Sequence, residues 1–575
     1  MRLSKLIYIT LFLLTAGTLT TKAQDKKTTD KKTEKKAEEK TEDKAVTEEI
    51  EVVRPYKPIL AEAVKLRRSP DLNDVKTYKA RFNYVLPDRK LELNSDINKL
   101  YAQEVAEQQQ SVLTNNYVKG GLGSASTILG EAYVNLGRDE ALQAGAFFRH
   151  FSQEGKLEGQ KFNQQQLSIF GRSITDKAIF SGRINYERKG LNFYGYDETD
   201  PTRNPSPAKQ AFNYIEGEAE VVNKYTEDPD AVSYAAKVNG YVWGDQYNAK
   251  ENSVVVNGYV NKRISNFNLG LAASAEFGNT KDVLTSVNNN LLRLNPYIRF
   301  QTNGVNITAG INYVQEFGTV SSGHLFPAVT ADFTLIPDYL QVFAEVKGDV
   351  IRNSMKELTD ENPFLNTNIN IKNSIEKINF TAGIKGTGGP GFGYKASVYS
   401  KQVTDMALYV NDFTDFNKFD VIYDFGNTKV LGLEGELSVQ VSDQLKWTGK
   451  LNLENYKPAS ETYSWYKPSL RISSNLLYSI TEKLGFNASV AIQDASDAKV
   501  YTAAPASPYV IPNTAIETNT TVKGFVDLGI GATYKINKKF SVFANVNNLL
   551  DTKYSRYLYY QAIGVNIFGG VTYSF

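Results

Sequence analysis

From about residue 115 to Phe575, apolar and polar positions alternate with a period of two. Gln561 to Phe575 shows this most plainly. Ile563, Val565, Ile567, Val571, Tyr573 and Phe575 form one set, and Ala562, Gly564, Asn566, Phe568, Gly570, Thr572 and Ser574 the other. A strand sends successive side chains to opposite faces, so the pattern predicts one greasy face and one wet face. The same alternation marks 267–277, 305–313 and 430–442. Placing a strand at every such run gives about 22 strands, from 115–122 to 561–575, among them 161–174, 340–351 and 484–493. An even number brings both ends of a closed barrel to one side.

The connections carry as much information as the strands. Short ones at 137–140, 174–177, 302–304, 336–339, 442–444 and 537–539 are rich in Asn, Asp, Gly and Pro, the residues of tight turns. Longer ones fall mostly between them, at 195–210, 278–290, 352–372, 403–429, 494–521 and 550–560. Short turns on one rim and long loops on the other are the rhythm of an outer-membrane barrel. The fold class expected is therefore all-β, a transmembrane antiparallel β-barrel. A lipid-facing Lys or Arg at mid-membrane costs roughly 2–4 kcal/mol, and carboxylates are also disfavoured there. Glu434 and Glu436, alternating with Leu431, Leu433 and Leu437, therefore belong on the lumen face.

Composition sharpens this picture. Tyr (35), Phe (30) and Gly (41) are plentiful, which suits strands and aromatic girdles. Beyond the N-terminus there is no apolar run of the roughly 18 residues a membrane helix needs. Cysteine is absent, which removes disulfides and thiolate metal sites. Lys plus Arg (65) balances Asp plus Glu (63), so net charge points to no nucleic-acid partner.

The N-terminal part divides into three. Residues 1–23 read as a secretory signal: Arg2 and Lys5, then Leu6 to Leu14, then Thr21-Lys22-Ala23. Residues 24–47, rich in Lys, Glu and Thr, are expected to form a disordered tether. Residues 48–114 form a short mixed segment, with an extended start at Glu48 to Val53 and a helix from Pro58 to Leu66. A second helix is expected from Asn94 or Ser95 to about Gln110. The barrel occupies 115–575.

Candidate chemistry is sparse. His150 has no nucleophile or acidic pair that can be placed beside it, so a solvated or lumen-lining role is expected; His324 falls in the Ser322-Gly323-His324 turn; no hydrolase or nucleotide motif occurs, and no enzyme, cofactor or metal centre is expected. Asp412, Asp415 and Asp420 offer at most an acidic loop with calcium as an alternative. Aromatics in the long loops are the stronger lead as a binding surface: Tyr409 and Phe413, Tyr463 and Trp465, and Tyr557, Tyr559 and Tyr560.

Phe540 to Tyr554, F-S-V-F-A-N-V-N-N-L-L-D-T-K-Y, resembles the penultimate-strand pattern of TonB-dependent receptors through Asn548, Leu549, Leu550, Asp551, Lys553 and Tyr554. Val571, Tyr573 and Phe575 are similar to that family's last strand, which the barrel-assembly machinery reads. Glu49, Ile50, Glu51, Val52 and Val53 look like a TonB box, which pairs with TonB by strand addition. The resemblance implies an outer-membrane location with periplasmic termini, contact with membrane lipid, and solute binding or transport. TonB or another periplasmic protein and a surface lipoprotein are the partners it suggests. The departure is the plug: family members carry one longer than the whole of 48–114. Two roles follow, a receptor gated or occluded by 48–114, or a plug-deficient structural or assembly subunit of a larger outer-membrane complex.

Overall fold

A computed structural model describes residues 116–136, 142–198, 204–224, 231–389, 391–412, 415–442, 444–503 and 515–575. The signal, the tether, the 48–114 segment with Glu49 to Val53, and Phe413 lie outside the described residues.

Twenty-two antiparallel strands pair in one continuous sheet. The first, β1 (Tyr117–Gly123), pairs with the last, β24 (Asn566–Ser574), and this pairing closes the barrel. The seam is in register from Tyr117↔Ser574 to Gly123↔Phe568. A Cβ at Gly570 would collide with the Gly120 carbonyl, so this seam needs a glycine there. Two further strands, β20 (Ser496–Ala503) and β21 (Ala515–Val522), form a separate hairpin inside one loop.

The alternation read from the sequence is the inside–outside alternation of the wall. Ile567, Val571, Tyr573 and Phe575 are exposed on the outer face, whereas Asn566, Phe568 and Thr572 are buried on the inner one. Phe568 is the exception within its small, polar set, and it packs inside against Phe151 and Phe543. Glu436 lies on the inner face and pairs with Lys450 at 2.6 Å.

Both closing ends lie at one rim, whose connections are all short. The opposite rim carries the long ones, 194–207, 352–373, 458–469, 494–524 and 548–565. Two expected loops are mostly strand. The 278–290 loop shrinks to 282–285 between β9 (Phe267–Lys281) and β10 (Ser286–Thr302). The 403–429 loop is a tall hairpin of β15 (Phe392–Asn411) and β16 (Phe419–Ser442), re-registered by a bulge between Thr404 and Met406. Above the bulge Leu408, Tyr409 and Val410 are all buried, so alternation is lost where the hairpin leaves the wall. Its apolar residues pack against other loops rather than facing lipid.

Candidate functional site: a loop cap over one mouth

The long-loop rim is covered by segments that leave opposite sides of the barrel and meet. The 352–373 connection starts from β13 (Leu340–Ile351) and carries one helix, α1 (Met355–Glu361). Ser354 caps it, its hydroxyl accepting from the Glu357 N–H at 3.3 Å. The helix is held on the wall by Glu251 of β8 (Lys250–Ile264), five strands from β13. Glu251 is fully buried and accepts four hydrogen bonds: Met355 N–H (2.8 Å), Lys356 N–H (3.4 Å), Thr280 hydroxyl (2.6 Å) and Tyr241 hydroxyl (2.6 Å). A carboxylate at the start of a helix complements its positive end. Lys189 on β5 (Ala178–Phe193) adds an ion pair to Asp360 at 3.3 Å.

Beneath the helix, Arg352 donates to Glu276 at 2.8 Å. Arg293 bridges Glu276 and Asp349, both at 3.1 Å, and donates to the Val350 carbonyl. All four of these charged residues are buried. A buried charge is tolerated only when paired and hydrogen-bonded, and this chain of pairs fixes the point where the loop leaves the wall.

The cap has an aromatic core. Phe364 stacks on Tyr560 with ring centroids 3.4 Å apart. Phe419 lies 5.4 Å from both Tyr466 and Tyr557. The Tyr557 hydroxyl donates to the Glu361 carbonyl at 2.6 Å, and Tyr409 donates to the Leu358 carbonyl at 3.2 Å. At the hairpin tip Asn417 donates to the Phe193 carbonyl of β5, on the far side of the wall, and accepts from the Tyr560 hydroxyl. Burial alone would push the Glu361 carboxyl up. The Lys467 ammonium at 3.0 Å, with Arg556 and Arg471 further off, outweighs burial and holds that carboxyl below its ordinary range.

The predicted loop aromatics are therefore brought together, but mostly against one another. Tyr409, Trp465, Tyr557 and Tyr560 are buried in this core. Tyr559 is half-buried, packs on Phe416 and accepts through its carbonyl from the Tyr196 N–H. Tyr463 is exposed beside Trp465. Glu251, Arg352 and Phe364 carry the cap and were not singled out in the sequence. Nothing in the Ala249-Lys250-Glu251 stretch signals a helix seat a hundred residues ahead.

The acidic loop residues are engaged by donors rather than arranged for a cation. Asp412 accepts from the Asp415 N–H (2.6 Å) and from the Asn366 amide (3.0 Å), and Asp415 pairs with Lys418. Burial, then a hydrogen bond and charge repulsion from Asp412, push the Asp420 carboxyl up to about 7. A carboxyl whose pKa is raised on folding stabilises the cap most below its unfolded pKa of about 4, and that contribution is lost as pH rises through 7. The cap should thus melt at lower temperature at pH 8 than at pH 5. Near-UV circular dichroism of its tyrosines reads this, and Asp420→Asn should flatten the difference; an unchanged slope would remove Asp420 as its source.

His324 pairs with Glu316 at 2.8 Å, and Glu316 accepts from Asn373 of the cap loop. His150 sits on the outer face, 3.3 Å from the Gln165 amide.

The family model described as TonB dependent receptor-like, beta-barrel matches residues 71–549. The chain belongs to the TonB-dependent receptor-like β-barrel family. Barrels of this family sit in the outer membrane of Gram-negative cells. Solved structures agree at the level of fold. FpvA of P. aeruginosa, bound to a heterologous pyoverdine, aligns with TM-score 0.61 and 13% identity over 80% of this chain and 72% of its own. The siderophore receptor PirA of Acinetobacter baumannii aligns with TM-score 0.57 and 12% identity over 80% of each chain. The ferric enterobactin receptor PfeA of Pseudomonas aeruginosa aligns with TM-score 0.55 and 12% identity, also over 80% of each. No curated protein sequence matches the chain. The matched family segment of this TonB-dependent receptor-like barrel begins at 71, ahead of β1.

Proposed function

We propose that this barrel is a gated outer-membrane receptor that binds a solute and passes it inward. The observation that carries the reading is the cap: segments from β5, the 352–373 connection, the tall hairpin, the 458–469 loop and the 548–565 loop close on one aromatic core at the long-loop mouth. A general diffusion pore works with an open mouth; a mouth closed by interlocked loops suits selective entry. In this reading the long-loop rim is extracellular, both termini are periplasmic, and residues 48–114 gate or occlude the lumen from the other side. Glu49, Ile50, Glu51, Val52 and Val53 form the strand that TonB engages. Tyr463 and Tyr559, left partly open on the cap, are the first contacts for a solute or for a surface lipoprotein that delivers one. The names of the structural neighbours make iron chelates the first solutes to screen.

Planar-bilayer conductance tests the gate. The mature protein should be silent, and a version lacking 24–114 should conduct. Silence in both would mean that the cap seals the barrel without help, and the N-terminal segment would lose its gating role. TonB coupling is tested separately by titrating the soluble C-terminal domain of TonB onto the protein in micelles. Ile50→Pro with Val52→Pro removes two ladder donors and should weaken binding by at least about tenfold. Equal affinity, or no binding by the parent protein, would sink the TonB-box assignment and leave the complex-subunit role as the better account.

A further inference from the structure

The outer surface of the barrel differs between its two rims. At the short-turn rim the outward strand ends are apolar or aromatic, among them Phe267, Leu335, Tyr534, Phe540 and Tyr573. Toward the long-loop rim several outward positions are lysine, and twice two lysines stand directly opposite one another. Lys250 of β8 is in register with Lys281 of β9. Lys429 of β16 is in register with Lys457 of β17 (Leu445–Lys457). All four side chains are exposed, and by strand parity they share the face of the lipid-facing residues below them. Like charges directly opposite on a sheet repel. Among the described residues none of the four is in an ion pair. The carboxylates around them are engaged elsewhere. Asp282 accepts from the Asn368 N–H (2.5 Å) and the Val283 N–H (2.7 Å), and Asp405 pairs with Lys372 at 2.6 Å. Asp494 accepts from the Ser469 hydroxyl at 2.8 Å. Glu454 faces the lumen and accepts from the Tyr399 and Tyr456 hydroxyls, both at 2.6 Å.

Both lysine pairs top the same three tiers of outward residues. On β15–β17 the lowest row, Val398, Leu433 and Leu453, is apolar. The next row holds Ser400 and Asn455 on either side of Leu431, and the third holds Gln402, Lys429 and Lys457. On β8–β10 the lowest row is Val254 and Phe277, the next is Asn252, Asn279 and Asn288, and the third is Lys250, Lys281 and Ser286. Each tier is one same-face step of two residues, roughly 7 Å along a strand. From the membrane centre outward the surface therefore runs from apolar, through amide and hydroxyl, to paired cations.

We propose that each lysine pair seats a phosphorylated, acylated amino-sugar lipid of the outer leaflet, with acyl chains on the apolar row, the sugar against the amide row, and one phosphate bridging the two ammonium groups. A bridging dianion turns the repulsion within each pair into attraction, and lysine stems are long enough to bring both heads to one phosphate. The middle tier selects the kind of lipid. In a phospholipid the phosphate sits directly on the glycerol that carries the chains, whereas in an acylated amino sugar the ring stands between chains and phosphate. A row of amides and hydroxyls, one step deep, meets that ring with donors and acceptors for its hydroxyl and amide groups. The proposal rests on the reading that the long-loop rim is extracellular, and it is independent of which solute the receptor takes.

The test is native mass spectrometry of the full mature protein, delipidated in detergent. It is titrated with lipid A, with lipid A stripped of its phosphates, and with phosphatidylglycerol. The expected result is retention of lipid A at two seats per barrel, with the other two lipids held at least about tenfold more weakly. Lys429→Gln with Lys457→Gln should empty one seat, Lys250→Gln with Lys281→Gln the other, and all four substitutions both. Lys262→Gln, which removes an outward lysine near the short-turn rim, should leave retention as it was. Heat-modifiable gel migration confirms that each variant has closed its barrel. Equal retention of the dephosphorylated lipid or of phosphatidylglycerol, or full retention of lipid A by the closed four-lysine variant, would overturn the proposal. Binding in detergent does not depend on which rim faces outward, so such a failure falls on the lysine pairs and leaves the receptor reading to its conductance test.

Discussion

Glu251→Ala should release the cap while leaving the barrel closed. The Glu251 carboxylate is the shared acceptor for two amides of α1 and for the hydroxyls of Thr280 and Tyr241, and no water reaches it. Truncation leaves four donors facing a small void. A buried donor without its partner costs about 1–3 kcal/mol, and hydrogen bonds to a charged group lie at the upper end. Local relaxation spares part of this, so a loss of roughly 3–5 kcal/mol is expected, confined to the cap. The wall strands keep their ladders, because Glu251 itself pairs through its backbone with Trp243 and Thr280. Hydrogen exchange at 354–362 should accelerate by a hundredfold or more, on the order of the opening equilibrium such a loss implies, while β8 and β9 stay protected. In the protein lacking 24–114, the same substitution should turn intermittent conductance into steady conductance. Unchanged exchange at 354–362 would show that the aromatic core holds α1 without this anchor. Glu251→Gln offers a graded control: it keeps the shape and one acceptor oxygen but replaces the other with a donor.

The contrast between wall and cap explains what could be read from the sequence. The wall obeys one local rule, outward apolar and inward polar, imposed by lipid on one side and water on the other. Strands at 161–174, 340–351 and 484–493 consequently agree end to end with the structure. Where a strand leaves the bilayer the rule lapses. Met406 to Asn411 remain strand but are buried by other loops, with Leu408, Tyr409 and Val410 buried in succession, so their apolar residues no longer alternate and the stretch reads as a loop. The α1 helix has two turns at most, too short for a helical period to stand out within a polar loop. The β20–β21 hairpin lies in the stretch that the sequence marks only as a long connection, 494–521.

The aromatic loops show the same limit from the functional side. Their composition is compatible with a ligand surface or with a packed core, and the two differ only in what lies opposite each ring. Phe364 sits in an Asn-Pro-Phe-Leu stretch nearly two hundred residues from Tyr560, yet the two stack. Only the closed sheet, which brings the 352–373 connection, the β15–β16 hairpin and the 548–565 loop over one opening, decides that these rings meet. Phe568 makes a similar point inside the wall: a large ring in an otherwise small, polar set signals an inner contact, here with Phe151 and Phe543.

Phe419→Ala should be the most damaging single change within the aromatic core. The ring has no exposed surface and touches Tyr466, Tyr557 and Tyr560, which come from two other connections. Removing a fully buried Phe typically costs 3–5 kcal/mol through lost transfer energy and an unfilled cavity. Its backbone still joins the 352–373 segment, donating to the Phe364 carbonyl at 3.0 Å and accepting from Asn366 at 2.8 Å. The hairpin tip should therefore stay attached but loosen, with Tyr466 and Tyr557 gaining rotational freedom. Near-UV circular dichroism should lose much of its tyrosine signal, and trypsin should cleave at Lys418 and Lys467 in the folded barrel. The counterpart is Phe425, six residues along the same strand, which is 67% exposed and, among the described residues, has a ring contact only with the Lys372 ammonium at 5.4 Å. Phe425→Ala should change stability by less than about 1 kcal/mol and leave the tyrosine signal intact. Similar effects from the two substitutions would mean that the core is not what closes the mouth. A large difference would place the closing energy at the crossing point of the four connections, where a solute must act to open them.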